Sequence, residues 1–429
     1  MFEELEYKGF FWLPQKSEEK ISGILRFTPE KGATLELIGA FPIRQSREFE
    51  LILGFTDKGK HITLLNSFEI SRNMSFPGGM AFTKIFSNYL FSGPEHLETK
   101  KERKFNQAIV RFKYLDEWLN KSEGFEIDQD WDGDEIIIKY KLPKPVVISI
   151  GDSLELKLNP TATGPSTSIV QNEARITQVI YAIFESRRKK DFDDILEVVF
   201  SFQELLILFT QQRSYPLEFI LLKKNNKAKT SKRFKLFFQI NMYNERERHL
   251  SPHNFLVPFF MIEKKINKFV NSWYHSHNIL KTCYVPYFNN FYMKEQNISD
   301  SFLNIARSIE AFHRDTKGKN NPLTNKPYYY KERVLDVFNT CNRSFNSLLK
   351  IRDKEAFAEK IKNFRNDFTH SNPILVQRDK KYLESYDLTD KLSVILTCSL
   401  LKYHGLSINE IRKALNNTVL YTHFKFRKK

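Results

Sequence analysis

The spacing of apolar residues changes along the chain, and that change limits the fold more than any other feature. Up to about residue 165, apolar residues alternate or form short runs: Ile21–Phe27, Thr34–Ile38, Phe49–Phe55, Ile62–Leu65, Ile85–Phe91, Phe105–Phe112, Ile136–Tyr140 and Leu154–Leu158. Turn signals such as Pro29-Glu30-Lys31-Gly32 and Asp57-Lys58-Gly59 separate them, a pattern that predicts a β-sandwich or barrel. From about residue 255, apolar residues recur every three or four positions. This predicts bundle helices over Val257–Leu280, Asp300–Thr316, Tyr330–Asn342, Lys354–His370, Leu383–Tyr403 and, shorter, Asn409–Asn416. The expected class is α+β, with a β-rich domain over 1–254 and an all-α bundle over 255–429.

The middle of the chain carries its own signals. Pro160–Ser168 reads as a connection, so a subdivision is expected near 160–190. Asp191–Gln212 is expected as a helix, with Asp191, Asp193 and Asp194 at the end where the helix dipole favours negative charge. It is apolar nearly all round, hence buried. Strands are expected over Leu217–Leu222 and Phe234–Ile240, joined by a solvated basic loop, Lys223–Arg233. Ser71–Met80 is expected as a mobile loop, Glu123–Glu135 with Trp131 as a solvated acidic loop, and Lys317–Tyr329 as a loop between helices. The consecutive Tyr328, Tyr329 and Tyr330 either pack or stack on nucleic-acid bases.

Charge is distributed unevenly. Residues 1–254 carry 37 Lys and Arg against 35 Asp and Glu, whereas residues 255–429 carry 30 against 16. The excess behind the net charge of +16 therefore lies almost wholly in the helical part, which favours a polyanionic partner such as nucleic acid. Cys283, Cys341 and Cys398 are scattered and odd in number, so reduced buried thiols and not a disulfide framework are expected. No apolar run is long enough to span a membrane, and the acidic start, Met1-Phe2-Glu3-Glu4-Leu5-Glu6, lacks the order of a secretory signal. A cytoplasmic location follows as an expectation. No cofactor is expected, because no glycine-rich phosphate loop occurs. No metal is expected either, since His275 and His277 are two apart on a helix and do not face one another.

The stretch Lys362-Asn363-Phe364-Arg365-Asn366-Asp367-Phe368-Thr369-His370-Ser371-Asn372-Pro373 concentrates candidate chemistry. Phe357, Ile361, Phe364 and Phe368 form one helical face behind it, and Asn372-Pro373 reads as a helix stop. Positions five apart lie about 140° apart around a helix, so Arg365 and His370 converge only if the helix ends or bends near His370. An imidazole titrating near neutrality suits proton transfer to or from an attacking or leaving oxygen. A guanidinium suits phosphate, being always charged and presenting a planar donor fork.

These residues resemble the R-N-x-x-x-H form of the HEPN ribonuclease motif. The upstream segment Phe302–Arg314, with Glu310 at its acidic position, resembles the second signature helix of ApeA-like HEPN proteins of bacterial antiphage defence. Gly23-Ile24-Leu25 with Gly39-Ala40-Phe41, then Ile62–Leu65 and Leu115-Asp116-Glu117-Trp118-Leu119, follow that family's N-terminal pattern. The resemblance implies abortive infection by metal-independent RNA cleavage leaving a 2′,3′-cyclic phosphate, with transfer RNA as the substrate best suited by analogy. It also implies a homodimer through the HEPN bundle, so that two Arg–His sets share a cleft, and an N-terminal domain that senses a phage-derived trigger. Arg365 and His370 would be catalytic, and Asn366 would orient His370 or hold a phosphate. Glu310 would either pair with Arg365 or stand as an exposed helix carboxylate, and Asp367 either orients His370 or solvates its helix. The alternatives are a non-catalytic HEPN module for RNA binding or dimerisation, with Arg365 and His370 sharing a structural hydrogen bond, or the toxin of a toxin–antitoxin pair.

Overall fold

The computed structural model describes residues 4–14, 16–42, 47–74, 79–129, 136–164, 175–225, 230–243, 250–293, 296–370 and 378–426. Two compact units emerge: Met1–Asp116 with Lys121–Gln203 and Ser214–Arg246, and Glu117–Asn120 with Glu204–Arg213 and Glu247–Lys429.

The first unit is built on antiparallel strands. β1 (Leu5–Trp12), β2 (Ile21–Thr28), β3 (Gly32–Ile38), β4 (Glu48–Thr56), β5 (His61–Met74) and β6 (Ala81–Gly93) pair in the order β6-β3-β2-β1-β4-β5. Pairing of β5 with β6 then closes a six-stranded barrel, which removes the open edges. Period-two alternation puts Leu25, Phe27, Leu35, Leu37, Ile52, Leu64 and Ile85 inside, all essentially unexposed. Gly39 follows β3 at φ 135°, a conformation that a side chain disfavours. β6 is long enough to serve two structures: residues to Ser87 pair with β3, and Leu90–Ser92 pair with a strand of the adjoining sheet.

That sheet uses β7 (Lys104–Phe112), then a separate hairpin of β8 (Phe125–Gln129) and β9 (Ile136–Tyr140) intervenes, followed by β10 (Val146–Ile150), β11 (Leu154–Thr163), β12 (Thr177–Asp191), β13 (Pro216–Asn225) and β14 (Thr230–Phe237). Its order is β10-β11-β12-β7-β13-β14, joined to β6. Between β7 and β8 lies the short helix α1 (Leu115–Leu119), and between β12 and β13 the long helix α2 (Phe192–Thr210). The N-terminal part of α2 covers the sheet, with Phe202 against Phe112 and Phe184 at 5.6 and 5.7 Å.

Several expected loops are strands. Ser71–Met74 continue β5, Phe125–Gln129 form β8, and Pro160–Thr163 continue β11, while Ser75–Gly78, Trp131 and Pro165–Ser168 lie outside the described residues. The two arms of the basic loop are paired strands in which Lys223 opposes Lys232 and both reach Glu95, while residues 226–229 lie outside the described residues. In each case cross-strand pairing overrides a local composition that is polar or proline-bearing. Strands β1, β10 and β12 have no counterpart among the expected elements.

The second unit is helical. α3 (Phe259–Ile262) and α4 (Ile266–Ser276) replace the single helix expected over Val257–Leu280, and α5 (Lys281–Tyr292), which tolerates an internal Pro286, has no counterpart among the expected helices. α6 (Ile298–Lys317), α7 (Tyr330–Leu349), α8 (Lys354–Thr369), α9 (Arg378–Tyr403), α10 (Ile408–Asn417) and α11 (Thr422–Phe426) follow. α6 lies against α5, α7, α8 and α9. Trp118 of α1 belongs to this unit: it stacks on Phe209 at 5.5 Å and donates its indole N–H to Val257 O at 2.8 Å. Cys283, Cys341 and Cys398 are free and buried. No described helix is long and apolar enough to cross a membrane.

α8 starts where Asp353 Oδ1 accepts the Ala356 N–H at 3.0 Å. Asp353→Ala is therefore expected to cost about 1 kcal/mol of stability, as N-cap losses do, read as a lower urea midpoint at unchanged slope.

Candidate active site

Three helices of the second unit bring Arg365, Glu310 and Tyr330 together. α8 buries Phe357, Ile361 and Phe364, and Phe364 and Phe368 meet Phe302 of α6 at 6.1 and 5.4 Å. This aromatic contact fixes the rotation of α8 against α6. The opposite flank of the turn then carries Arg365 toward Glu310 of α6, and Arg365 Nη2 donates to Glu310 Oε2 at 2.9 Å. Both side chains are about one-third exposed, at 31% and 34%, so the pair is open to solvent on one side. Tyr330, at the start of α7, lies under the guanidinium, its ring centre 4.6 Å from Arg365 Cζ.

The helix ends at Thr369, and His370 caps it at φ −94° and ψ 6° with its N–H on Asn366 O at 3.0 Å. The end thus falls where convergence of Arg365 and His370 requires one. Asn372-Pro373, the expected stop, lies outside the described residues. Asn366 and His370 are exposed and Asp367 is half-buried. Among the described residues, the His370 side chain makes no hydrogen bond or ion pair. Arg365 is bonded to Glu310 and not to His370, which removes the shared structural hydrogen bond as an explanation of the pair.

A second polar group lies one turn along α6. His313 is buried, accepts from Arg333 Nη1 on Nδ1 at 2.9 Å and donates from Nε2 to Asp336 Oδ2 at 3.0 Å. The always-charged guanidinium forces this tautomer, because Nδ1 has no other role against a pure donor. Burial pushes the His313 pKa below its ordinary value, with Asp336 acting the other way. Tyr328 meets His313 edge-on at 4.6 Å, and Arg333 lies 5.4 Å above its ring. Of the three tyrosines, Tyr329 alone is freely exposed, at 74%. Local sequence gives no signal for Arg333 or Asp336, and singles out Tyr330 without its partner, since the groups they meet are 20 or more residues away.

His277 pairs with Glu204 at 2.8 Å, and the Cys283 thiol is pushed up by burial. Among the described residues, no three His, Cys, Asp or Glu side chains group as a metal site.

Residues 6–273 match the model of ApeA N-terminal domain 1, and residues 303–410 match the Apea-like HEPN model. The chain belongs to the ApeA family. The HEPN match contains Glu310, Tyr330, Arg365, Asn366 and His370. ApeA membership marks an antiphage-defence protein with a nuclease domain of the HEPN kind, and HEPN domains are in general ribonucleases. The closed barrel, its adjoining sheet and the helices of this HEPN domain fit the β-rich-then-α class read from the sequence. No curated protein and no solved structure matches the chain.

Proposed function

We propose that this ApeA protein is a metal-independent endoribonuclease whose phage-triggered activity aborts infection, with transfer RNA as the substrate class. The observation that supports the reading is a guanidinium held by Glu310 near the end of α8, with an exposed imidazole five residues on that, among the described residues, bonds to no side chain. In the reaction, the substrate 2′-oxygen bonds to the adjacent phosphorus while the P–O5′ bond breaks, leaving a 2′,3′-cyclic phosphate and a 5′-hydroxyl. His370 takes the 2′-hydroxyl proton or delivers one to O5′. Arg365 stabilises the charge that builds on the phosphorane, and Glu310 holds it there. Asn366 orients His370 or binds a phosphate oxygen. One Arg–His set supplies one proton carrier, whereas acid and base are both needed. A homodimer through the HEPN domain supplies the second set. Residues 1–254 form the sensing part, and the protein acts in the cytoplasm.

The test is RNA cleavage in EDTA by the purified protein, and RNA-end sequencing in phage-infected cells. Cyclic-phosphate ends on transfer RNA, lost in Arg365→Ala, support the reading. Cuts that persist unchanged in Arg365→Ala and His370→Ala move the chemistry elsewhere. No cuts with intact phage protection favour an RNA-binding module. Glu310→Ala is expected to lower cleavage about tenfold, as loss of one charge-assisted hydrogen bond of about 1.5 kcal/mol would. Full activity in Glu310→Ala would make that carboxylate a surface partner only.

A further inference from the structure

Arg365 must meet a phosphate in the proposed reaction, yet one of its donors is already bonded to Glu310. A single N–H···O contact is a pivot, about which the guanidinium swings, and a carboxylate also competes with phosphate for the same donors. Tyr330 solves both problems. Its ring lies 4.6 Å from Arg365 Cζ, within the roughly 6 Å over which a cation is drawn to an aromatic face. That attraction consumes no N–H. Among the described residues, Arg365 Nε and Nη1 donate to nothing, so an edge of the fork stays open to a phosphate.

We infer that Tyr330 sets the plane of the Arg365 guanidinium and is a positioning residue for RNA cleavage, an inference that rests on the reading above. Tyr330 is placed for this by three helices at once. It is the first residue of α7, its hydroxyl reaches Ala306 O of α6 at 3.4 Å, and its ring lies beneath the Arg365 of α8. Ala306 precedes Glu310 by about one helical turn, so the anchor of the tyrosine hydroxyl and the carboxylate that holds the guanidinium lie on the same helix, α6. Burial holds the phenol above its ordinary pKa, so it stays neutral and never becomes an anion that would trap Arg365. The base-stacking role open to Tyr330 in the sequence is thereby closed on one face.

The experiment compares Tyr330→Phe and Tyr330→Leu by steady-state cleavage, or by the rate at which cuts accumulate after infection if the resting protein is silent. Phe keeps the ring and is expected within about twofold of the parent, whereas Leu loses it and is expected to lower kcat about tenfold with a smaller change in KM. In an Arg365→Lys background, where the planar fork is gone, Tyr330→Leu is expected to add no further loss. Val334→Ala, which truncates a buried neighbour on α7, controls for lost stability: it should lower Tm without the tenfold loss. Parent-like kcat in Tyr330→Leu, equal damage in Phe and Leu, or a tenfold loss in Val334→Ala at matched Tm would overturn the inference. Parent-like cleavage in Arg365→Ala is a different result, and it removes the nuclease reading itself.

Discussion

His370→Ala is expected to lower RNA cleavage by about 10²–10⁴-fold, the range over which a positioned acid or base contributes, and to leave Tm unchanged. The two halves of this expectation come from one observation. His370 is exposed at the end of α8 and, among the described residues, bonds to no other side chain, so its removal breaks nothing that holds the fold. Arg365→Ala is expected to lose a comparable amount, about 10²–10³-fold, because charge stabilisation of the phosphorane goes with it. It also leaves Glu310 without a partner, but both groups are about one-third exposed, so water takes over and the stability change is small. Cleavage rates measured beside thermal melts separate the cases. A His370→Ala protein with parent-like Tm and parent-like cleavage would remove the imidazole from the chemistry. A large fall in Tm would instead make it a structural residue.

Acid is expected to destabilise the helical unit through His404. This residue follows α9, is 1% exposed, and is bonded by Tyr284 Oη at 2.8 Å and Ser272 Oγ at 3.1 Å. The rings of Phe269, Trp273 and Tyr403 surround it, and burial lowers its pKa to about 3 from 6.5. Between those two values the unfolded chain binds a proton that the folded chain rejects, so stability rises with pH across that window. The contribution is fully present above about pH 6.5 and is lost as pH falls toward about 3. Each pH unit in the window costs about 1.4 kcal/mol, so lowering the pH from 7 to 4.5 costs about 3 kcal/mol from this group alone. His313, also held below its ordinary pKa by burial, acts with the same sign. His404→Gln keeps an amide donor and acceptor but does not titrate. Urea unfolding at pH 7 and 4.5 should show a smaller acid loss in the variant than in the parent. Equal losses would assign the acid sensitivity to other groups, chiefly carboxylates.

The amino-acid sequence determined much of this protein by local pattern. Alternation placed Leu25, Phe27 and Leu64 inside a sheet, and a three-to-four spacing placed Phe357, Ile361 and Phe364 on the buried face of α8. These patterns survive because side-chain direction is set by the strand or helix itself. The Arg–His spacing and the family resemblance were legible in the same way, being properties of contiguous residues. Tertiary structure decided the rest. The closure of β5 on β6, the reassignment of Lys223 and Lys232 from a solvated loop to paired strands around Glu95, and the joining of Arg365 to Glu310 and Tyr330 all depend on partners far apart in the chain. No local propensity encodes such partners. They are selected when apolar faces pack and leave particular polar groups within reach, here through Phe302 against Phe364 and Phe368. A short motif names the groups with chemical potential, while packing between helices decides which of them stand close enough to act.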